Sequence, residues 1–85
     1  MHARLRVDAP AEAVLARINP TVGIVEKIDD ATSVLVTGAD NLDTIAAYIG
    51  MLGMPFTVES PIELRSHLAR LADVYRRASE AVPSE

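Results

Sequence analysis

Pro55-Phe56-Thr57-Val58-Glu59-Ser60-Pro61-Ile62-Glu63-Leu64-Arg65 is the stretch that decides how this chain folds. From Phe56 to Glu59 apolar and polar residues alternate, the period-2 mark of a strand with one buried side. Ser60-Pro61-Ile62-Glu63 then has the form of a helix start. The serine hydroxyl is placed to accept the N–H of the third helical residue, Glu63 to reach back to the N–H of Ser60, and Pro61 to stand where a missing N–H costs nothing. Leu64, Leu68, Leu71, Ala72 and Tyr75 follow at helical spacing. A strand that runs directly into a long amphipathic helix needs a sheet beside it and an apolar layer beneath it, and the preceding 54 residues must supply both.

Working back from there, Ala3-Arg4-Leu5-Arg6-Val7 alternates, which turns Ala3, Leu5 and Val7 to a core and Arg4 and Arg6 away from it. Asp8-Ala9-Pro10 reads as a helix entry, with Asp8 or Ala9 near the cap. The helix from Ala11 to Ile18 is expected to bury Val14, Leu15 and Ile18, and Asn19-Pro20 to stop it. Thr21 to Ile28 reads as a second strand whose parity is open, since Val22, Ile24 and Ile28 compete with Val25 for the inner face. Asp29-Asp30-Ala31-Thr32 is a polar turn into a third strand, Ser33 to Thr37. After Gly38-Ala39, Asp40 or Asn41 caps a second helix that carries Leu42, Ile45, Ala46, Ile49 and Leu52, with Gly53 as its stop and Pro55 just past it. Gly50 within that helix costs about 1 kcal/mol against alanine, and close packing on the sheet is the expected reason for it. The last helix is expected to run to about Ser79, ahead of a frayed tail at 81–85.

The order is therefore β-α-β-β-α-β plus a C-terminal helix: an α+β, ferredoxin-like two-layer sandwich, with residues 1–80 as one domain. Right-handed crossovers place the first strand between the third and the fourth.

Composition narrows the function. The 85 residues are 49% hydrophobic, enough for a core without staples, and contain no cysteine, which removes disulfides, thiolate metal sites and cysteine nucleophiles together. A net charge of −4 speaks against gripping duplex DNA by bulk electrostatics. No apolar run approaches the ~18 residues of a membrane span and no signal peptide precedes Ala3, so a cytoplasmic protein without membrane contact is expected.

Catalysis has little to draw on. His2 and His67 stand apart without a carboxylate at ligand spacing, and a surface position is expected for both. Asp29-Asp30 without further oxygen donors is a turn rather than a cation site. The loop after the first strand, where some ferredoxin-like acyl-phosphate hydrolases cradle phosphate, is here acidic and glycine-free. No catalytic residue, metal or cofactor is expected. Arg4 and Arg6 offer two guanidinium groups on an uncovered face, suited to a phosphate or carboxylate; alternatively they solvate that face and keep the sheet from sticking to others. Leu35, from the neighbouring strand, is expected on the same open face, completing an effector surface of Arg4, Arg6 and Leu35. The polar side of the last helix carries Arg65, His67, Arg70, Asp73, Arg76 and Arg77. It is either merely wet or a partner interface, with Arg65, Arg70 and Arg77 as the contacts.

These pieces together resemble the C-terminal extension, WCX, of bacterial WYL-domain transcriptional regulators. The resemblance rests on Leu5-Arg6-Val7-Asp8, on Ala39-Asp40-Asn41-Leu42 and Met51-Leu52-Gly53 around the second helix, and above all on Val58-Glu59-Ser60-Pro61-Ile62-Glu63-Leu64-Arg65, followed by Leu68, Leu71 and Tyr75. Where relatives carry tryptophan or bulky aliphatic residues in the second helix, this chain has Ala46-Ala47-Tyr48 and Gly50. The winged helix-turn-helix and WYL domains of the family lie outside these residues, which makes the chain either an excised domain or a stand-alone relative. The resemblance implies a non-catalytic regulatory module that senses an effector, with single-stranded nucleic acid reported for some members or a small anion as the alternative, and that helps form a homodimer. An amino-acid-binding domain of the ACT-like kind is the competing reading; it asks for a glycine-containing loop that Asp8-Ala9-Pro10 does not provide.

Overall fold

The computed structural model describes residues 1–19 and 21–83. Alternation in the first strand carries through to the fold: Ala3, Leu5 and Val7 are buried on one side, while Arg4 and Arg6 lie exposed on the other. The elements are β1 (His2–Val7), α1 (Ala11–Leu15), β2 (Gly23–Lys27), β3 (Ser33–Gly38), α2 (Leu42–Gly50), β4 (Phe56–Ser60) and α3 (Ile62–Glu80). The strands form one antiparallel sheet in the order β2-β3-β1-β4, with β1 between β3 and β4 as expected. The domain is α+β, with three helices on the buried side of that sheet.

Register sets which residues share a face, because side chains directly opposite one another on paired strands point the same way. Leu5 stands opposite both Leu35 and Val58, and Leu35 opposite Val25. The row Val25, Leu35, Leu5, Val58 thus lines the helix side, which resolves β2: Val25 turns inward, whereas Ile24 is 68% exposed. It also corrects the placement of Leu35. That side chain is only 1% exposed and belongs to the core. The residues beside Arg6 and Arg4 on the outer face are Val34 and Val36.

Around that row, Val14, Ile18, Ile45, Ile49, Leu52 and Leu64 close the core from the helix layer. The first helix is shorter than its apolar spacing suggests. It ends at Leu15, which is exposed, and a turn delivers Ile18 to the core. Its cap position is Pro10, with no side-chain acceptor; the N–H of Asp8 instead donates to Pro55 O at 3.0 Å, joining the entry of the helix to the entry of β4. The proline assigned to the stop, residue 20, lies outside the described residues, as do the last two residues of the tail. In α2 the cap is Asn41, whose Oδ1 accepts the Thr44 N–H at 2.9 Å. Gly53 takes a φ of +65°, the left-handed conformation that ends helices and favours glycine.

The expected capping box of α3 does not form. Ser60 stays in β4, opposite Arg4, and the cap position falls to Pro61 without a side-chain bond. Arg65 makes the connection between strand and helix instead, its Nε donating to Val58 O at 2.7 Å. From that anchor α3 returns along β4 and overruns it. A helix of 19 residues spans about 28 Å, while a five-residue strand spans about 17 Å. Leu64 is fully buried and Leu68 partly, but every residue from Val74 to Glu80 is exposed.

Candidate functional site

The outer face of β1 places Arg4 and Arg6 two residues apart on the inner strand pair of the sheet, a rigid support for donors. Their surroundings differ. Arg4 Nε donates to Glu59 Oε1 at 3.0 Å, an ion pair open to solvent on both sides. It forms where the β1–β4 register shifts: Arg4 faces Ser60 and Leu5 faces Val58, leaving Glu59 at the irregularity beside Arg4. Arg6 stands between Val34 and Thr57, and among the described residues it has no carboxylate at ion-pair distance. Its charge reaches the turn after β2. There the Ala31 N–H donates to Asp29 Oδ1 at 2.8 Å and, with further help from Thr32 and the charge of Arg6, holds the Asp29 carboxyl below its ordinary value. Asp30 is engaged with Lys27 at 3.3 Å, so both turn aspartates serve the hairpin.

Val34 shows a second use for Arg6. It lies on the outer face yet is only 1% exposed, flanked across the strands by Arg6 on one side and Glu26 on the other. Long charged side chains lay their methylene stems over such a residue and keep the head in water. The surface is therefore a free guanidinium at Arg6, a half-neutralised one at Arg4, and an apolar strip of Val36 and Ile24 running outward.

The three arginines expected at a partner interface do not form one patch. Arg65 is tied to β4. Arg70 approaches His67 Nδ1 at 3.5 Å, and Arg77 Nε pairs with Asp73 Oδ2 at 3.1 Å. At about 100° per residue, Arg70 and Arg77 share a side of α3 and Arg65 lies roughly a third of a turn or more away. His67, expected at the surface, is largely buried: its side chain is 15% exposed and Nε2 lies 2.8 Å from Asp43 Oδ1, bridging α3 to the first turn of α2. The nitrogen is close enough for an ion pair but is not aligned for a hydrogen bond.

Between α2 and α3, past that bridge, runs an apolar groove of about 480 Å³ lined by Ala46, Ala47, Gly50, Leu71, Tyr75 and the edge of Phe56, among others. Phe56 is half-buried, packed against the core and lining the groove, whereas the packing reason expected for Gly50 does not hold: a Cβ there would meet nothing within 4 Å. The signal was present in the residues: small side chains on α2 face a stripe on α3 that continues beyond the length of the sheet.

Residues 1–75 match the family model of the WCX domain. The chain belongs to the WCX domain family. No curated protein and no solved structure matches it. In this WCX domain the matched residues run through all four strands and stop at Tyr75, the last residue to line the groove, so the projecting end of α3 falls outside the match. Among the described residues no helix is long and apolar enough to cross a membrane, and no group of three His, Cys, Asp or Glu is placed to hold a metal ion.

Proposed function

We propose that this WCX domain is the non-catalytic regulatory module at the C-terminal end of a WYL-type transcriptional regulator, working in the cytoplasm. Its partner domains in that reading are a WYL domain and a winged helix-turn-helix, and the regulator is a homodimer. The match over residues 1–75 carries the reading. The ferredoxin-like description belongs to the same proposal, supported by the βαββαβ order and by β1 lying between β3 and β4.

Within this reading the outer face of β1 contacts the effector, a single-stranded nucleic acid or a small anion. Arg6 supplies the first contact, since its guanidinium is available. Arg4 supplies a second only by exchanging Glu59 for the ligand, a modest cost for an exposed pair. Duplex DNA is left to the winged helix, because a domain of net charge −4 has neither the field nor a recognition helix for it.

The test titrates a labelled single strand with the parental regulator at several salt concentrations, beside its Arg4→Ala/Arg6→Ala variant. Each lost phosphate contact should weaken binding and flatten the log–log salt slope by about 0.7. Unchanged affinity and slope in the double variant would assign both arginines to solvation. A reading frame upstream of Met1 that encodes neither a WYL segment nor a winged helix would overturn the regulatory assignment itself.

A further inference from the structure

Three donor side chains stand in single file on the outer face of β1: His2, Arg4 and Arg6, at every second residue of the strand. Neighbours in such a row are about 6.6–6.8 Å apart along the chain. Their heads do not converge. Arg4 turns towards β4, where its Nε donates to Glu59 Oε1 at 3.0 Å. Arg6 leans the other way, over Val34 of β3, and its charge is felt by Asp29 in the β2–β3 turn. His2 also lies towards β3, opposite Gly38. A Cβ on that glycine would stand 2.7 Å from the imidazole Nδ1, so the bare glycine leaves the ring its place. One small anion is held best by donors aimed at a common centre. Donors that lean alternately to opposite sides of a strand offer separate seats, which suit anionic groups spaced along an extended ligand.

The seats are not equal. Among the described residues Arg6 has no carboxylate at ion-pair distance, whereas Glu59 fills the middle seat with a carboxylate of the protein's own. That pair is open to solvent on both sides, so its hold on Arg4 is weak. A ligand already anchored at Arg6 presents its next anionic group to Arg4 at the high effective concentration of a tethered one. A lone anion has no such advantage: it meets Arg6 free, and it must compete with Glu59 for Arg4 from bulk solution. Glu59 is therefore an internal competitor that a chain of anions displaces and a single anion does not.

We propose that Glu59 is the specificity-determining residue of the β1 face: it reserves Arg4 for ligands with two or more successive phosphates, so that the face takes a short single strand of nucleic acid in preference to a small anion. This rests on the effector reading given above and chooses between the two ligand classes named there.

Fluorescence anisotropy of the 85-residue chain with a labelled oligothymidylate tests it. Thymidine monophosphate and a 5′-phosphorylated dithymidylate serve as unlabelled competitors with one and two phosphates. Salt is held at about 0.15 M, where charges more than about 8 Å apart are largely screened. Glu59→Gln should tighten the dithymidylate about two- to fivefold, the worth of an exposed ion pair, and leave the monophosphate unchanged. The gain should be largely lost in an Arg4→Ala background, where there is no seat to free. Glu59→Gln keeps the size of an exposed side chain, and a thermal melt matching wild type checks that it folds. An equal gain for both competitors, or a gain that persists without Arg4, would show Glu59 acting only through its charge at a distance and would overturn the proposal. So would unchanged affinities in Glu59→Gln while Arg6→Ala weakens the strand, an outcome that leaves the effector reading standing. Absence of strand binding in wild type and Glu59→Gln alike, or strand binding indifferent to both arginines, would overturn the effector reading and the proposal together.

Discussion

Leu64→Ala should come close to unfolding the domain, while Leu68→Ala, one helical turn on, should not. Leu64 is fully buried and touches the core where α3 leaves β4; Leu68 is only partly buried at the groove. Removing a fully enclosed leucine costs about 3–5 kcal/mol, the transfer of the lost atoms plus the cavity they leave. An 85-residue domain has about 4–13 kcal/mol in total. Its unfolding entropy is about 0.18 kcal/mol/K, so each kcal/mol moves Tm by about 5–6 °C. Leu64→Ala should therefore lower Tm by about 15–30 °C. Leu68→Ala leaves a site already open to water, loses only part of the transfer term, and should shift Tm by about 5–10 °C. The measurement is circular dichroism at 222 nm during a thermal ramp, with protein dilute enough that self-association adds nothing. Equal shifts for the two variants would refute the view that α3 is anchored at its start and free at its end. A Leu64→Ala melt within a degree or so of wild type would refute the core assignment outright.

The two glycines near the end of α2 should respond in opposite directions. Gly53→Ala forces a Cβ into a left-handed conformation and within 3.0 Å of an Arg17 amino group, costing about 1–2 kcal/mol. Gly50→Ala meets open space and should stabilise by up to about 1 kcal/mol, both read by urea unfolding. Asn41→Ala removes the acceptor of the Thr44 N–H and should cost about 1 kcal/mol; no change in the midpoint would mean that water replaces the cap fully. Asp29, with its folded pKa depressed, contributes stability that is complete above its unfolded pKa of about 4 and is lost as pH falls through the lower folded value. Asp29→Asn should flatten the acid end of the stability–pH curve, and a carboxyl shift titration centred at or above about 4 in the folded chain would contradict the Ala31 hydrogen bond as its cause.

What could be read from the residues was what repeats. Period-2 alternation fixed the facing of β1, and the spacing of Ile45, Ile49 and Leu52 fixed the inner side of α2. Register was out of reach. Leu35 could be assigned a face only once the antiparallel pairing put it opposite Leu5, because a shift of one residue exchanges the two faces of β3. Caps were readable only as candidates: of Asp40 and Asn41 it is Asn41 that caps α2, while Ser60 was claimed by the strand before the helix began. Of the candidate site, Arg4 and Arg6 were legible as a facing, but the capture of Arg4 by Glu59 depends on a local register shift that alternation hides. The groove escaped because an apolar stripe does not state how much of it the neighbouring elements of the same chain cover.

The register shift at Glu59 has a consequence for how this surface can change over time. On β1, residues 3, 5 and 7 answer to the packed layer, and residues 4 and 6 face solvent on the other side of the sheet. A substitution at residues 4, 6, 24 or 36 rewrites the chemistry offered to a visitor without asking the core to repack, and Glu59 gives one of the arginines a removable tether. On the effector reading proposed above, a lineage of such domains exchanges the molecule it answers to by altering outward side chains, while the inward set carries the same sheet beneath them.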